Sequence, residues 1–206
     1  QLAAIADAAA KNDAEVWVMA PMIATPDEAA HFTRLAREAG LATAGVMVEV
    51  PSAALTAGHI LANADFASLG TNDLTQYAMA ADRMLGPLAT LNDPWQPAVL
   101  HLIKATCDGA AQAAQASAEN PDGRPKPVGV CGEAAADPAL AAVLVGLGVT
   151  TLSMSPRALP AVNAVLKTIT LPQAQNLATL ALQAPTAADA RTTVRAHLPL
   201  LDTLGL

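Results

Sequence analysis

The sequence predicts an α/β fold in which crossover helices pack on a parallel sheet. Short apolar runs rich in Val, Met and Ile alternate five times with helix-start signals, which is typical of repeated strand–helix units. Aromatic residues make up only 2% of the 206 residues although 53% are hydrophobic, which favours small helices on short strands over a sandwich built on aromatic pairs. Because the strands are continuous apolar runs, we expect both faces of the sheet to be buried.

The predicted strands occupy residues 16–20, 45–49, 66–69, 127–131 and 150–154. After the first, Thr25 and Glu28 form a capping box around Pro26, and Asp137 before Pro138 caps the helix after the fourth. A helix is expected from Pro51 through residues 60–61, and a long one from residues 93–94 to a loop at 120–123. Amphipathic helices near residues 172–183 and 186–198 end the sequence.

Periodicity alone does not separate an open doubly wound sheet from a (β/α)₈ barrel with some units missing. In both architectures the functional groups follow the carboxyl ends of the strands. Polar residues stand at or just past these ends in this sequence: Glu49, Asn72, Asp73, Cys131, Ser153 and Ser155.

Composition excludes several classes of protein. The net charge of −7 argues against nucleic acid or an anionic membrane as partner. No apolar run reaches the roughly 18 residues of a membrane span. Two cysteines, Cys107 and Cys131, do not form a disulfide framework, so we expect free thiols and a cytoplasmic location. An anionic small substrate stays compatible with the charge, because Mg²⁺ and an arginine reverse the local sign.

Two carboxylates follow consecutive predicted strands. Glu49 ends an apolar strand, where its burial requires either a cationic partner or a metal ion. Asp73, taken alone, favours a helix cap. Together they suit Mg²⁺, which takes one or two carboxylates, waters and substrate oxygens. Gly70 and the N–H groups of Asn72 and Asp73 at the next helix start would cradle a phosphate.

Three further side chains are candidates for the site. Arg83 suits a bidentate phosphate clamp, with a surface ion pair as the alternative. Cys131 lies between glycines with Glu133 two residues on, so it is either a reactive thiol or an inert small hydrophobe. Cys107 is expected in the core. The four histidines have no ligand-like neighbours and are expected at the surface or in packing.

Four segments, in order, resemble signatures of the phosphoenolpyruvate-utilising enzyme family, which includes Enzyme I of the bacterial sugar phosphotransferase system, pyruvate phosphate dikinase and phosphoenolpyruvate synthase. The segments are GVMVEVP at 45–51, GTNDLTQY at 70–77 with ADR at 81–83, VCGE at 130–133, and LSMS at 152–155. Tyr77, the Asp82-Arg83 pair and residues 97–103 are more similar to Enzyme I than to the dikinases.

The resemblance implies a (β/α)₈ TIM barrel of the phosphoenolpyruvate/pyruvate type, present here as a partial barrel of about strands four to eight. Residues 1–170 would be barrel units and residues 171–206 terminal helices. The family's N-terminal phosphohistidine domain and its first three strand–helix units have no counterpart in this sequence. The family's domain also implies a homodimer.

The resemblance also implies roles for the candidate residues. Glu49 and Asp73 would hold Mg²⁺, and Asn72, Asp73 and Arg83 would bind the substrate. Cys131 would be catalytic, protonating the enolate carbon to give pyruvate, and Glu133 would tune its thiol.

The implied activity is phosphoenolpyruvate-protein phosphotransfer: Mg²⁺-dependent transfer of the phosphoryl group from phosphoenolpyruvate to an enzyme histidine, and on to a histidine-containing phosphocarrier protein. We expect the sequence by itself to be inactive, because the acceptor histidine belongs to the absent domain. The alternatives are a dikinase-type or synthase-type domain, a Mg²⁺-dependent acyl-CoA lyase or aldolase barrel, and a dimerisation module without catalysis. The Cys131-Gly132-Glu133 segment argues against the lyase, whose chemistry needs no such thiol.

Overall fold

The computed structural model describes residues 1–116 and 123–205, so residues 120–122 of the predicted loop lie outside it. The strands are β1 (Trp17–Ala20), β2 (Thr43–Val48), β3 (Ala67–Gly70), β4 (Val128–Cys131) and β5 (Thr151–Ser153). The helices are α1 (Leu2–Ala9), α2 (Pro26–Glu38), α3 (Pro51–Leu55), α4 (Ala57–Leu61), α5 (Thr71–Ala78), α6 (Pro97–Ala116), α7 (Glu133–Ala136), α8 (Pro138–Leu147), α9 (Leu159–Leu166), α10 (Leu171–Gln183), α11 (Ala187–Arg195) and α12 (Leu200–Thr203), with one 3₁₀ turn (Gly86–Leu88).

The five strands form one sheet in the order β1-β2-β3-β4-β5, and every neighbouring pair is parallel. The predicted parallel α/β sheet is therefore confirmed. A doubly wound sheet reverses its strand order at one point, and these five strands show no reversal. Helices α2, α4, α6 and α8 contact one another in chain order, as expected for right-handed crossovers that place successive helices on one face.

Local sequence signals set several helix ends. The predicted capping box is present at α2, where the Thr25 hydroxyl accepts from the Glu28 N–H and the Glu28 carboxylate accepts from the Thr25 N–H. Asp137 caps α8 as predicted, accepting from the N–H groups of Ala139 and Leu140. The helix expected from Pro51 onward is instead broken at Thr56 into α3 and α4.

The core lies between the sheet and the helix layer. Val46, Val48 and Leu69 are fully buried in one cluster with Leu100 and Leu140 of the helices. The terminal helices belong to the same unit, because α10 packs on α8 and its apolar residues join this cluster. In the described part of the chain, no helix has both the length and the apolarity needed to cross a membrane.

The opposite face of the sheet is partly open, so the prediction that both faces are buried is wrong. Trp17 and Met19 of β1 are 51% and 43% exposed, and Thr151 and Ser153 of β5 are also exposed. The physical reason is the single helix layer: the crossover helices cover the face that carries Val18 and leave the other face to solvent at both edges. Because 53% of the residues are hydrophobic, an apolar run in this sequence does not by itself indicate that both faces of a strand are buried.

Candidate functional site

The carboxyl ends of β2, β3 and β4 bring several predicted site residues to one edge of the sheet. Val48 pairs with Leu69, so Glu49, the next residue, stands level with Gly70. Gly70 in turn pairs with Cys131. A row running across three strands therefore carries a carboxylate, a glycine and a thiol, and α5 begins directly after this glycine.

Glu49 is buried, with 5% exposure, and is held by backbone features. Its Oε1 accepts a hydrogen bond from the Met22 N–H at 2.8 Å. Met22 has a φ of +57°, a conformation that non-glycine residues adopt at a cost, and this turn directs its N–H to the carboxylate. On the other side, a methyl group on Gly70 would lie 2.6 Å from Oε2, so the glycine leaves room for that oxygen.

Asp73 and Arg83 face each other. Asp73 lies in the first turn of α5, and its Oδ2 is 3.6 Å from Nη1 of Arg83, with the two side chains 30% and 47% exposed. The surface ion pair that was the alternative for Arg83 is therefore formed with Asp73. Asp82 is engaged elsewhere, because its carboxylate accepts a hydrogen bond from the Met84 N–H. The Arg83 N–H donates to Gln76 Oε1 at 3.0 Å, which ties this segment back to α5.

A cavity of about 320 Å³ lies beside these groups. Asn72, Arg83 and Glu133 line it, so the structure brings together three of the predicted residues from two different strand–helix connections. Glu49, Asp73 and Cys131 lie next to this lining rather than on it. An arginine and a helix-start asparagine on one wall give the cavity the donors that a phosphate requires.

The turn after β4 is joined to the start of α5. The Cys131 carbonyl accepts from the Thr71 hydroxyl at 3.1 Å, and the Cys131 thiol donates to the Leu69 carbonyl at 3.4 Å. Gly132 has a φ of +91°, and a Cβ there would stand 3.5 Å from Asn72 Oδ1. Gly132 therefore lies close to Asn72, and Glu133, the first residue of α7, lines the same cavity as Asn72.

The remaining cysteine and the histidines have the environments expected from the sequence. Cys107 is buried, and loss of solvation, followed by the negative charge of Asp108, raises the pKa of its thiol to about 12. The histidines are all exposed: His31, His59, His101 and His197.

Other cavity residues were missed by sequence reasoning. Thr75, Met84, Ala89, Asn92 and Pro94 also line the cavity. Both polar atoms of the Asn92 side chain are buried, and within residues 1–116 and 123–205 nothing bonds them. No motif or spacing marks Asn92. The only local signal was the Asp93-Pro94 step, which indicated a helix start.

The two carboxylates are the type of donor that a magnesium ion takes. One Glu49 oxygen accepts from an N–H group, and the other packs against Gly70, the residue directly before the turn of α5 that carries Asp73. In the described ranges, no three His, Cys, Asp or Glu side chains gather as a complete protein-only metal site. Mg²⁺ needs no such group, because it keeps waters and substrate oxygens as ligands beside one or two carboxylates.

Comparison with known proteins places this chain in a family. The model of the PEP-utilising enzyme, PEP-binding domain, matches residues 1–171, which include every predicted site residue. The chain belongs to this family. PEP is phosphoenolpyruvate, and the PEP-utilising family is the one that the sequence motifs resemble.

Several relatives of this PEP-utilising chain carry phosphotransferase names. A phosphoenolpyruvate-protein phosphotransferase of Streptomyces coelicolor is 50% identical over 199 residues, which cover 96% of this chain and 34% of that protein. One of Haloferax volcanii is 39% identical over 92% of this chain and 34% of that protein. A multiphosphoryl transfer protein of Xanthomonas campestris is 41% identical over 89% of this chain and 21% of that protein. The chain spans about a third or less of the length of these relatives.

Proposed function

We propose that this chain is the phosphoenolpyruvate-binding part of a phosphoenolpyruvate-protein phosphotransferase. The observation that carries the proposal is the cavity lined by Asn72, Arg83 and Glu133, with the Glu49 and Asp73 carboxylates beside it, in a member of the PEP-utilising family. The complete protein would pass the phosphoryl group to a histidine of its own and then to a histidine-containing phosphocarrier protein. The dikinase, lyase and dimerisation-module alternatives gain no better support from this geometry.

The proposal includes a finer description of the fold. The five parallel strands in chain order, with one helix layer, are what an arc of a (β/α)₈ barrel would present, and the half-open face would be the barrel interior. Residues 1–170 would supply barrel units and residues 171–206 terminal helices. The phosphohistidine domain would lie elsewhere in the longer protein, which we propose to be cytoplasmic and homodimeric.

The side chains would bind the phosphate before any bond is broken. Arg83 donates to phosphate oxygens through its planar guanidinium, and Asn72 adds its side-chain amide and helix-start N–H. Phosphoryl transfer depends mainly on positioning and charge neutralisation, which these donors provide. Mg²⁺, held by Glu49 and Asp73, would supply further neutralisation of the phosphoryl oxygens and of the enolate.

Cys131 would then complete the conversion to pyruvate. Loss of the phosphoryl group leaves an enolate, and its terminal carbon takes the proton of the Cys131 thiol, which gives the pyruvate methyl group and a thiolate. The partly exposed thiol is bonded only weakly, to the Leu69 carbonyl at 3.4 Å. Glu133, two residues on, would influence the return of the proton.

Binding of phosphoenolpyruvate to the chain, measured by calorimetry with and without Mg²⁺, tests the proposal. We expect binding to require Mg²⁺ and Glu49→Gln to weaken it by about tenfold or more, because a charged contact contributes about 1.5–3 kcal/mol and about 1.4 kcal/mol is tenfold. Glu38→Gln, which removes an exposed carboxylate paired with Arg34, is the control and should change nothing. Binding that is independent of Mg²⁺ and of Glu49 would contradict the proposal.

Radiolabelled phosphoenolpyruvate tests the assignment of the acceptor histidine to another domain. We expect no label on this chain when it is incubated alone with Mg²⁺, because its histidines are exposed residues outside the cavity. Label on the isolated chain would overturn this part of the proposal while leaving the binding site intact.

A further inference from the structure

An ion pair joins the terminal helix α11 to the wall of the cavity. Nη2 of Arg191 lies 2.8 Å from each carboxylate oxygen of Asp93, across a separation of 98 residues. Asp93 stands between Asn92 and Pro94, which both line the cavity. Arg191 itself lies beyond residue 171, where the family match ends.

The ion pair is one part of a connected group. The Arg191 guanidinium lies over the ring of Trp95, 5.7 Å from its centroid, and Trp95 is fully buried. The Trp95 backbone N–H donates to Asp93 Oδ1 at 3.0 Å, and its indole Nε1 donates to Asp137 Oδ2 at 2.8 Å. We name these four residues, Arg191, Asp93, Trp95 and Asp137, the Arg191 clamp.

The clamp is connected to two parts of the cavity lining. At one end, Asp93 fixes the segment that contains Asn92 and Pro94. At the other end, Asp137 caps α8 and directly follows the short helix α7, whose first residue is Glu133. Glu133 lines the cavity as Asn92 and Pro94 do, so one hydrogen-bonded group is continuous with both parts of the lining.

The Asn92 wall needs such a support. The amide of Asn92 is buried, and no bonding partner for it exists in the part of the chain that the structure describes. A buried polar group without a partner destabilises the conformation that holds it. The backbone N–H of Asn92 donates to the Ala89 carbonyl at 3.2 Å, and the ion pair of the next residue adds a link from this wall to α11.

Charge gives Arg191 a second effect on the cavity. Asp93 is one residue from two lining positions, and an unneutralised carboxylate at this partly buried position would disfavour an anionic ligand in the cavity, because like charges repel more strongly where water is partly excluded. Arg191 cancels that charge. The chain has a net charge of −7, so this local balance matters to an anionic ligand.

We propose that Arg191 is a positioning residue for the phosphate cavity: it holds the Asn92–Pro94 wall through Asp93 and neutralises the carboxylate behind it, without touching the ligand. This inference rests on the proposed function, because it requires an anion in the cavity. It extends the site to a helix outside the segment that the family model matches.

The test uses the full chain and measures binding of phosphoenolpyruvate with Mg²⁺. Trp95 fluorescence in a Trp17→Phe background, which leaves Trp95 as the only tryptophan, reports occupancy at the clamp. We expect Arg191→Met to raise the Kd about three- to tenfold, a range typical of residues coupled to a site without touching it. Arg191→Lys, which keeps the charge and loses the planar stacking group, should restore part of the affinity.

The matched control is Arg37→Met. It also removes an ion pair between separate elements, with Asp65, but at the opposite ends of the strands. We expect it to lower the unfolding temperature without changing the Kd. Asp93→Asn keeps an acceptor for the Trp95 N–H and removes the ion pair, so it should weaken binding as much as Arg191→Met does. The double variant, Asp93→Asn with Arg191→Met, should bind no more weakly than either single variant.

The outcomes separate the two proposals. If the parent chain does not bind phosphoenolpyruvate with Mg²⁺, the proposed function is wrong and the positioning role of Arg191 falls with it. If the parent chain binds and Arg191→Met binds equally well, or if Arg37→Met weakens binding as much, only the role of Arg191 is overturned. Should Arg191→Met fail to fold, unchanged affinity in Asp93→Asn decides against the clamp in the same way.

Discussion

The buried Glu49 carboxylate is placed by backbone rather than by an opposing cation. The sequence left two readings open for it, a cationic partner or a metal ion. In the structure the partner is the Met22 N–H, made available by a left-handed φ, and it occupies only one of the two oxygens. The other oxygen occupies the space where Gly70 lacks a side chain. These two contacts fix the orientation of the carboxylate.

Gly70→Ala tests this arrangement. The new methyl group would lie 2.6 Å from Glu49 Oε2 and 3.1 Å from its Cβ, so the side chain must rotate away. We expect Mg²⁺-dependent binding of phosphoenolpyruvate to weaken about tenfold or more, while overpacking lowers the free energy of unfolding by about 1–3 kcal/mol. Calorimetry and urea denaturation measure the two effects.

Gly86→Ala is the control for that substitution, because nothing lies within 4 Å of a Cβ at Gly86. Both quantities should stay at their parent values in this variant. If Gly70→Ala binds as tightly as Gly86→Ala, the position of the Glu49 carboxylate against Gly70 has no role in ligand binding.

The two thiols should differ in reactivity. Burial raises the pKa of Cys107 to about 12 from an ordinary 9.0, so at pH 8 it is a protonated, unreactive thiol, whereas Cys131 is partly exposed. We expect iodoacetamide at pH 8 to modify Cys131 and spare Cys107 in the folded chain, as read by peptide mass spectrometry. Cys131→Ser should leave the folded chain almost unlabelled, and rapid labelling of Cys107 would contradict its burial.

The same pKa has a consequence for stability. Because the folded-state pKa of Cys107 lies above its ordinary value, the unfolded chain ionises first as the pH rises. The contribution of this buried thiol to stability is therefore complete below about pH 9 and is lost as the pH rises toward 12. We expect Cys107→Ala to reduce the loss of stability as the pH rises from about 9 toward 12, measured as the free energy of unfolding at each pH.

At the scale of elements, the sequence predicted what is local and missed what is not. The capping box at Thr25 and the Asp137 cap involve residues within a few positions, so their letters alone define them. The break at Thr56 between α3 and α4 had no such signal. The pairing of Arg191 with Asp93 joins residues 98 apart, and only the folded chain brings them together.

The candidate site shows the same difference between local features, which the sequence predicted, and long-range contacts, which it did not. Strand-end position was enough to select Asn72, which lines the cavity, and Glu49, whereas Arg83, which also lines it, was selected for its guanidinium one helix further on. Asn92 was missed because its place depends on how the segment after Arg83 folds back over α5. No pattern of residue types in the sequence predicts that the segment after Arg83 folds back in this way.

Asp137 should be more than a helix cap, because the same carboxylate accepts from two N–H groups of α8 and from the Trp95 indole. We expect Asp137→Ala to cost about 2–4 kcal/mol, the sum of a cap at about 0.5–2 kcal/mol and a hydrogen bond to a charged group at about 1.5–3 kcal/mol, less overlap. Urea denaturation gives the value.

Thr186→Ala supplies the comparison for Asp137→Ala. Thr186 caps α11 through the Asp189 N–H, without a buried indole partner, so its loss should cost only the cap, about 1 kcal/mol. Equal losses in the two variants would show that the Trp95 bond adds nothing to stability.

At the scale of the whole molecule, the sheet has one covered face and one that is partly open. Helices in chain order cover one face, and the exposed Trp17 and Met19 mark the other. The cavity lies at the carboxyl edge of this arrangement, where α/β folds carry their ligand sites. Leu177 and Val194 of the terminal helices share one core cluster with Leu140 of α8.

This shared core predicts a single cooperative unfolding transition. Helix α10 packs on α8 so closely that a Cβ on Gly146 would collide with the carbonyl of Ala174, which makes Gly146→Ala a change at the boundary between the two parts. We expect it to cost about 1–3 kcal/mol by overpacking. Trp95, which lies before residue 171, should report the same lowered midpoint in a Trp17→Phe background as circular dichroism reports for all helices. Gly86→Ala should shift neither probe. Two separate midpoints, with the Trp95 midpoint unchanged by Gly146→Ala, would contradict this prediction. Residues 171–206 would then fold independently, and the Arg191 clamp would not join α11 to the rest of the chain in one cooperative unit.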